Sequence, residues 1–244
     1  MSETLQTILL YTCIPLITFI LGGFVAAFWK PNKAFRSVIL HFASGVIFSV
    51  VAVEILPDIV ERHQPVYVVI GFVLGTITML LVKHFSESDS AKKETTTIIP
   101  KVPLAFIVAI GVDVFIDGLI LEIGFATGQK AGMLLAFAIA LEMFSMGMAT
   151  EIEMLDEGIS RKKSLTHIVL LSSLFIVSAV LGGTLLQSLQ GYWMEMVLSF
   201  GLSALLYLVT EELLVEAHSE EDKPIYTATF FLGFLVFLIL GMVV

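Results

Sequence analysis

The chain has 244 residues, 57% of them hydrophobic and 14% charged, with a mean hydropathy of +0.98 and a formal net charge of −9 at pH 7. A soluble domain keeps about a quarter of its residues charged so that its surface is wetted, and this composition excludes such a surface. The acidic balance argues against nucleic-acid binding, and the single cysteine, Cys13, excludes an intrachain disulfide.

The charges are clustered. Residues 5–29, 165–190 and 224–244 hold no Lys, Arg, Asp or Glu over 25, 26 and 21 positions. Each run can cross a hydrocarbon core about 30 Å thick, which takes roughly 20 helical residues. Apolar runs between charge and Pro/Gly clusters predict eight helices in all, at 5–29, 37–57, 64–82, 102–125, 131–153, 165–190, 193–214 and 224–244. The fold class is therefore all-α and polytopic, one transmembrane domain over residues 1–244. No Lys or Arg precedes the first run, and its apolar stretch is too long for a signal-peptide core, so it is expected to stay in the mature protein.

Basic residues orient the helices. Lys30, Lys33, Arg36, Lys83, Lys92, Lys93, Lys101, Arg161, Lys162, Lys163 and Lys223 fall in odd-numbered connections, and only Arg62 and Lys130 in even ones. Eleven against two puts the odd connections in the cytoplasm and both termini outside. The third connection, 83–101, is the one loop of any length and is polar.

The first three helices resemble the last three at a nearly constant offset. Leu21-Gly22-Gly23 recurs as Leu181-Gly182-Gly183; Phe42 and the Glu54–Asp58 end recur as Phe200 and Glu212–Glu216; Gly71-Phe72 recurs as Gly233-Phe234. The offsets are 160, 158 and 162 residues. Five helices separate each pair, so the partners cross in opposite senses: an inverted repeat in a 3+2+3 arrangement, with helices four and five left between the repeats.

A carboxylate in mid-membrane is costly and is a functional candidate by default. Helix four carries Asp113 and Asp117, four apart on one face, and helix five carries Glu142 in its middle. Asp113 follows Lys101 by 12 residues and Glu142 follows Lys130 by 12, about 18 Å of helix from opposite sides. The short link Thr127-Gly128-Gln129-Lys130 makes the two helices antiparallel neighbours, and three close carboxylates call for a cation or protons. Gly118 and Gly147 thin the two helices near the acids. Glu54 and Asp58 at the outer end of helix two, and Glu212, Glu216 and His218 at the cytoplasmic end of helix seven, are accessory acids and a histidine able to gather cations at two mouths. His41, His84 and His167 read as interfacial residues, and Met143, Met146 and Met148 as helix packing.

Four stretches carry a family resemblance: Asp113-Val114-Phe115-Ile116-Asp117-Gly118, Glu142-Met143-Phe144-Ser145-Met146-Gly147, Phe42-Ala43-Ser44-Gly45-Val46, and Leu206-Tyr207-Leu208-Val209-Thr210-Glu211-Glu212-Leu213-Leu214. On these the chain resembles, over nearly its whole length, the ZIP (Zrt-, Irt-like) family of divalent metal-ion transporters. The corresponding family patterns are His-Asn-x-x-Asp/Glu-Gly, His-Glu-x-Pro-x-Gly, Phe-Ala-x-Gly-Val and Leu-Tyr-x-x-x-Glu-Glu-Leu. The resemblance implies a metal site at Asp113, Asp117 and Glu142. The chain departs from the family where histidines give way to Asp113 and Glu142, the asparagine to Val114, and the helix-five carboxylates to Met143 or Met146, while helix six holds no acid. By resemblance the second site of the family's binuclear centre is lost. Carboxylate in place of imidazole shifts preference from zinc toward harder ions such as manganese or iron.

The expected protein is an integral, multi-pass transporter of the cell (inner) membrane, not an enzyme. It carries zinc, manganese or iron toward the cytoplasm as substrate, with no resident cofactor. The lipid bilayer and the cation are its partners, nucleic acid is not, and a homodimer is left open. Alternating access is expected from the two three-helix repeats moving against helices four and five. Two alternatives are a degenerate, non-transporting sensor or scaffold, favoured by loss of the second site, and an intramembrane metallohydrolase, disfavoured by the absence of His-Glu-x-x-His.

Overall fold

The computed structural model describes residues 3–29, 31–90, 104–186, 189–218 and 223–243, and they are organised almost wholly as helix. In chain order the helices are α1 (Glu3–Phe28), α2 (residues 33–61), α3 (Pro65–Ser90), α4 (Leu104–Thr127), α5 (Gln129–Asp156), α6 (Arg161–Leu186), α7 (residues 192–217) and α8 (Pro224–Val243). Seven of them, all but α4, are long and apolar enough to cross a membrane. Helix α4 has 24 residues, about 36 Å of rise, but carries Asp113, Asp117 and Glu122. The molecule is thus a multi-pass α-helical membrane protein.

Local chemistry sets the helix ends. Asn32 caps α2, its Oδ1 accepting the Phe35 N–H at 2.8 Å. Proline opens α3 and α8, where the missing N–H costs nothing. Helix α3 runs on through residues 83–90 of the segment expected as the third loop, and residues 91–101 of that segment lie outside the described residues.

Two helices contain a wide π turn: α2 at Val51–Ile55 and α7 at Leu208–Leu213. In α2 the turn precedes Pro57, which has no N–H to offer and crowds the carbonyl four residues back. In α7 there is no proline; the Thr210 hydroxyl instead donates to the Leu206 carbonyl at 2.9 Å, a side-chain bond that competes with the main-chain ladder.

Packing divides the helices into two groups of four. Helix α1 lies on α5 and α6 on α4, with α4 also on α5 and α1 on α6; in the other group α8 lies on α2 and α3 on α7, with α7 running against α2. The main bridge between the groups is α2 against α5, joined by α3 and α7 against α4. Helices α4 and α5, expected as an unpaired unit between the repeats, each also pack on an outer helix, α6 and α1 respectively. Small residues are the cause: a Cβ on Gly147 would overlap the Phe19 carbonyl oxygen, one on Gly22 the Phe144 carbonyl oxygen, and one on Gly118 the Ser178 hydroxyl and Phe175 backbone. In the other group Gly45 and Gly233 bring α2 and α8 backbone to backbone, and Gly71 does so for α3 on α7.

Candidate metal centre

Asp113 and Asp117 lie one turn apart on α4, and Glu142 projects from the middle of α5, which follows α4 through the single residue Gly128. Asp117 and Glu142 are each only 2% exposed, and Asp113 is half-buried. The three are electrostatic neighbours: the charges of Asp113 and Glu212 act on Asp117, and those of Asp117, Glu212, Asp113 and Glu216 act on Glu142. One oxygen of Asp117, one of Glu142 and the hydroxyl of Ser145 have no hydrogen-bond partner among the described residues.

Glu212, expected at a mouth, is an electrostatic neighbour of this cluster. It lies within the π turn of α7, mostly removed from solvent, where Asp113 is its acidic neighbour and Lys83 its basic one. The cluster thus spans the boundary between the two helix groups, with Asp113, Asp117 and Glu142 on one side and Glu212 on the other. Among the described residues no three His, Cys, Asp or Glu side chains stand close enough together to hold a metal ion. In this conformation the acids are a field of like charge rather than a closed ligand shell.

The accessory groups have basic or backbone partners of their own. Glu54 pairs with Lys130 at 3.3 Å, and Lys130 also donates to the Gly241 carbonyl. Asp58 pairs with Arg62 at 3.0 Å, and Glu216 pairs with Arg36. The rings of His218 and His41 have centroids 4.8 Å apart, and each Nδ1 donates to a backbone carbonyl four residues back, Leu214 at 2.6 Å and Ser37 at 2.8 Å. His41 is buried, whereas His167 is exposed and bonded to the Lys163 carbonyl. Gly118 and Gly147 sit at the tight crossings of α4 on α6 and of α5 on α1. Met143 and Met148 are fully buried packing residues.

Three buried acids escaped the sequence reading. Glu122 on α4 accepts a hydrogen bond from Thr12 of α1 and lies against Gly182 and Gly183 of α6. Glu151 on α5 accepts the Ser164 hydroxyl at 2.7 Å across the turn into α6. Glu195, in the first turn of α7, is 1% exposed. Each sits within a few residues of a helix end, where an acid passes for a solvated one; only their neighbours reveal the burial.

The chain matches no protein-family model and no curated protein.

Proposed function

We propose that the protein is a ZIP-like transporter that moves a divalent cation, zinc or a harder ion such as manganese or iron, across the membrane toward the cytoplasm. The observation that carries this reading is the burial of Asp117 and Glu142 inside an apolar helical body with Asp113 and Glu212 as charged neighbours. Such a set of like charges is tolerable only with protons or a cation among them. In this reading Asp113, Asp117 and Glu142, joined by Glu212, replace part of the ion's hydration shell.

An eight-span inverted repeat is supported by the packing. Exchanging α1 with α6, α2 with α7, α3 with α8 and α4 with α5 turns the α1–α5 contact into α6–α4 and the α2–α8 contact into α7–α3. The two π turns fall at the same offset, 157–158 residues. The bias of Lys and Arg toward odd connections favours outside termini and a cell-membrane location. Because the acids straddle the boundary between the two helix groups, alternating access follows from one group shifting against the other, closing and opening the Glu212 side of the site.

Metal uptake into proteoliposomes tests the reading, with Zn²⁺, Mn²⁺, Fe²⁺ and Cd²⁺ in competition. Uptake of at least one ion, reduced in Asp113→Asn, is expected. No flux of any divalent ion, with Asp113→Asn indistinguishable from the parent, would leave a non-transporting sensor or scaffold as the better account.

A further inference from the structure

At the end of the molecule where α2 turns into α3 and α7 begins, a cavity of about 360 Å³ is lined by Arg62, Gln64, Tyr67, Gly191, Tyr192 and Glu195. That volume falls within the range of small-molecule clefts, about 300–1,000 Å³. Its floor is chemically incomplete. Glu195 is buried, yet neither carboxylate oxygen has a hydrogen-bond partner among the described residues. The nearest cation, Arg62 Nε, stands 3.8 Å away, too far for a hydrogen bond. Arg62 is committed elsewhere: Asp58 accepts from its Nε at 3.0 Å and its Nη2 at 3.3 Å. The dipole of α7 favours an acid in its first turn, but it supplies no donor to those two oxygens.

A ligand that completes this site presents N–H donors to Glu195 and, one step away, an anion to the remaining guanidinium N–H groups of Arg62. A bare divalent cation fits poorly, because it would sit on Glu195 directly against the fixed charge of Arg62. A trimethylammonium group fits poorly as well: it has no N–H, and Tyr67 and Tyr192 stack on each other at 5.2 Å and 27° instead of forming an open aromatic box. The rim carries exposed aromatic rings. Tyr192 and Trp193 are about half exposed at the start of α7 and pack ring to ring at 5.2 Å, as aromatic anchors do at headgroup level. Helix α3, which brings Tyr67, is the least buried span of the molecule, with 17% of its apolar window covered.

From this geometry we infer that the Arg62–Glu195 cavity binds the phosphoethanolamine headgroup of a membrane lipid, its ammonium on Glu195 and its phosphate on Arg62. This assignment is independent of what the central acids transport. The lipid ties the α2–α3 turn to the start of α7, holding together the helix group that contains α2, α3, α7 and α8.

The test uses full-length protein in nanodiscs of phosphatidylcholine with and without phosphatidylethanolamine, read by lipid retention in native mass spectrometry and by thermal unfolding. The parent is expected to retain phosphatidylethanolamine over phosphatidylcholine, and Glu195→Gln to lose about tenfold of that preference, the equivalent of one charge-assisted hydrogen bond. Arg62→Gln, which acts at the phosphate end, is expected to weaken retention similarly and serves if Glu195→Gln fails to assemble. Glu61→Gln, an exposed neighbouring acid, is expected to change nothing. Equal retention of the two lipids, or a preference untouched by both site variants, overturns the assignment. Saturation of the site by soluble O-phosphoethanolamine or glycine, with no lipid preference, overturns the lipid as the source. A Glu195-dependent stabilisation by Mn²⁺ or Zn²⁺ alone, with no lipid effect, makes it a cation site instead.

Discussion

Gly147 of α5 lies directly on the carbonyl oxygen of Phe19 in α1, so closely that a Cβ has no room between the two backbones. Gly147→Ala must therefore push the helices apart. Such overpacking costs about 1–3 kcal/mol, and the unfolding temperature in detergent is expected to fall accordingly. Gly128, in the α4–α5 link, has an extended backbone and open space within 4 Å of where a Cβ would sit. Gly128→Ala is expected to be neutral in the same assay.

Glu212 separates two readings of the acids. If it belongs with Asp113, Asp117 and Glu142, Glu212→Gln lowers cation uptake as Asp117→Asn does, by about tenfold or more, or 1.4 kcal/mol of lost stabilisation. Glu216→Gln, whose own side chain is 45% exposed and pairs with Arg36, is expected to stay within about twofold, as pairs open to solvent contribute little. Initial uptake rates at matched protein density in proteoliposomes compare them. Glu212→Gln behaving like Glu216→Gln would return Glu212 to a mouth role.

Ser164 donates a hydrogen bond to the carboxylate of the fully buried Glu151, whose other oxygen has no partner among the described residues. Ser164→Ala removes the donor and leaves the carboxyl in place, at a cost of about 1–3 kcal/mol. Glu151→Gln restores a group that needs less solvation, so the double variant Ser164→Ala/Glu151→Gln is expected to be more stable than Ser164→Ala alone. Denaturation of the four proteins in the cycle gives the sign directly.

Glu54 and Lys130 join α2 to the start of α5 across the two helix groups at 3.3 Å, with Lys130 about one-third exposed and Glu54 17% exposed. The coupling energy in a double-mutant cycle is expected near 0.5–1 kcal/mol, reduced by salt. Because the pair bridges groups that shift in the transport reading, Lys130→Ala is also expected to alter uptake rate more than it alters stability.

Much of the fold was legible from the spacing of charges. Each predicted apolar run corresponds to a helix among the described residues, with boundaries displaced by several residues because caps such as Asn32 and N-terminal prolines, rather than hydropathy, decide where helices start. Asp113, Asp117 and Glu142 stood out as acids in apolar runs, and the structure does make them neighbours. The grouping of helices was not legible, because it depends on which glycine faces which backbone, and a glycine in an apolar run looks the same wherever it points. Glu195 and Glu151 were missed for a related reason: each lies near a helix end, and only Arg62 and the Tyr67–Tyr192 stack, or Ser164, reveal that the end is covered.

The wide turns in α2 and α7 have a consequence for phase. Each fits one more residue into a turn than an α-helix does, so the segment beyond it is rotated by about 100° from where uninterrupted α-helical spacing would carry it. Acids four apart across such a turn no longer share a face: Glu54 meets Lys130 while Asp58 meets Arg62, and Glu212 faces Asp113 while Glu216 meets Arg36. Deleting one residue from Val51–Ile55 would not shorten the helix harmlessly. It would re-phase the end of α2 and swing the Asp58–Arg62 pair away from Glu195.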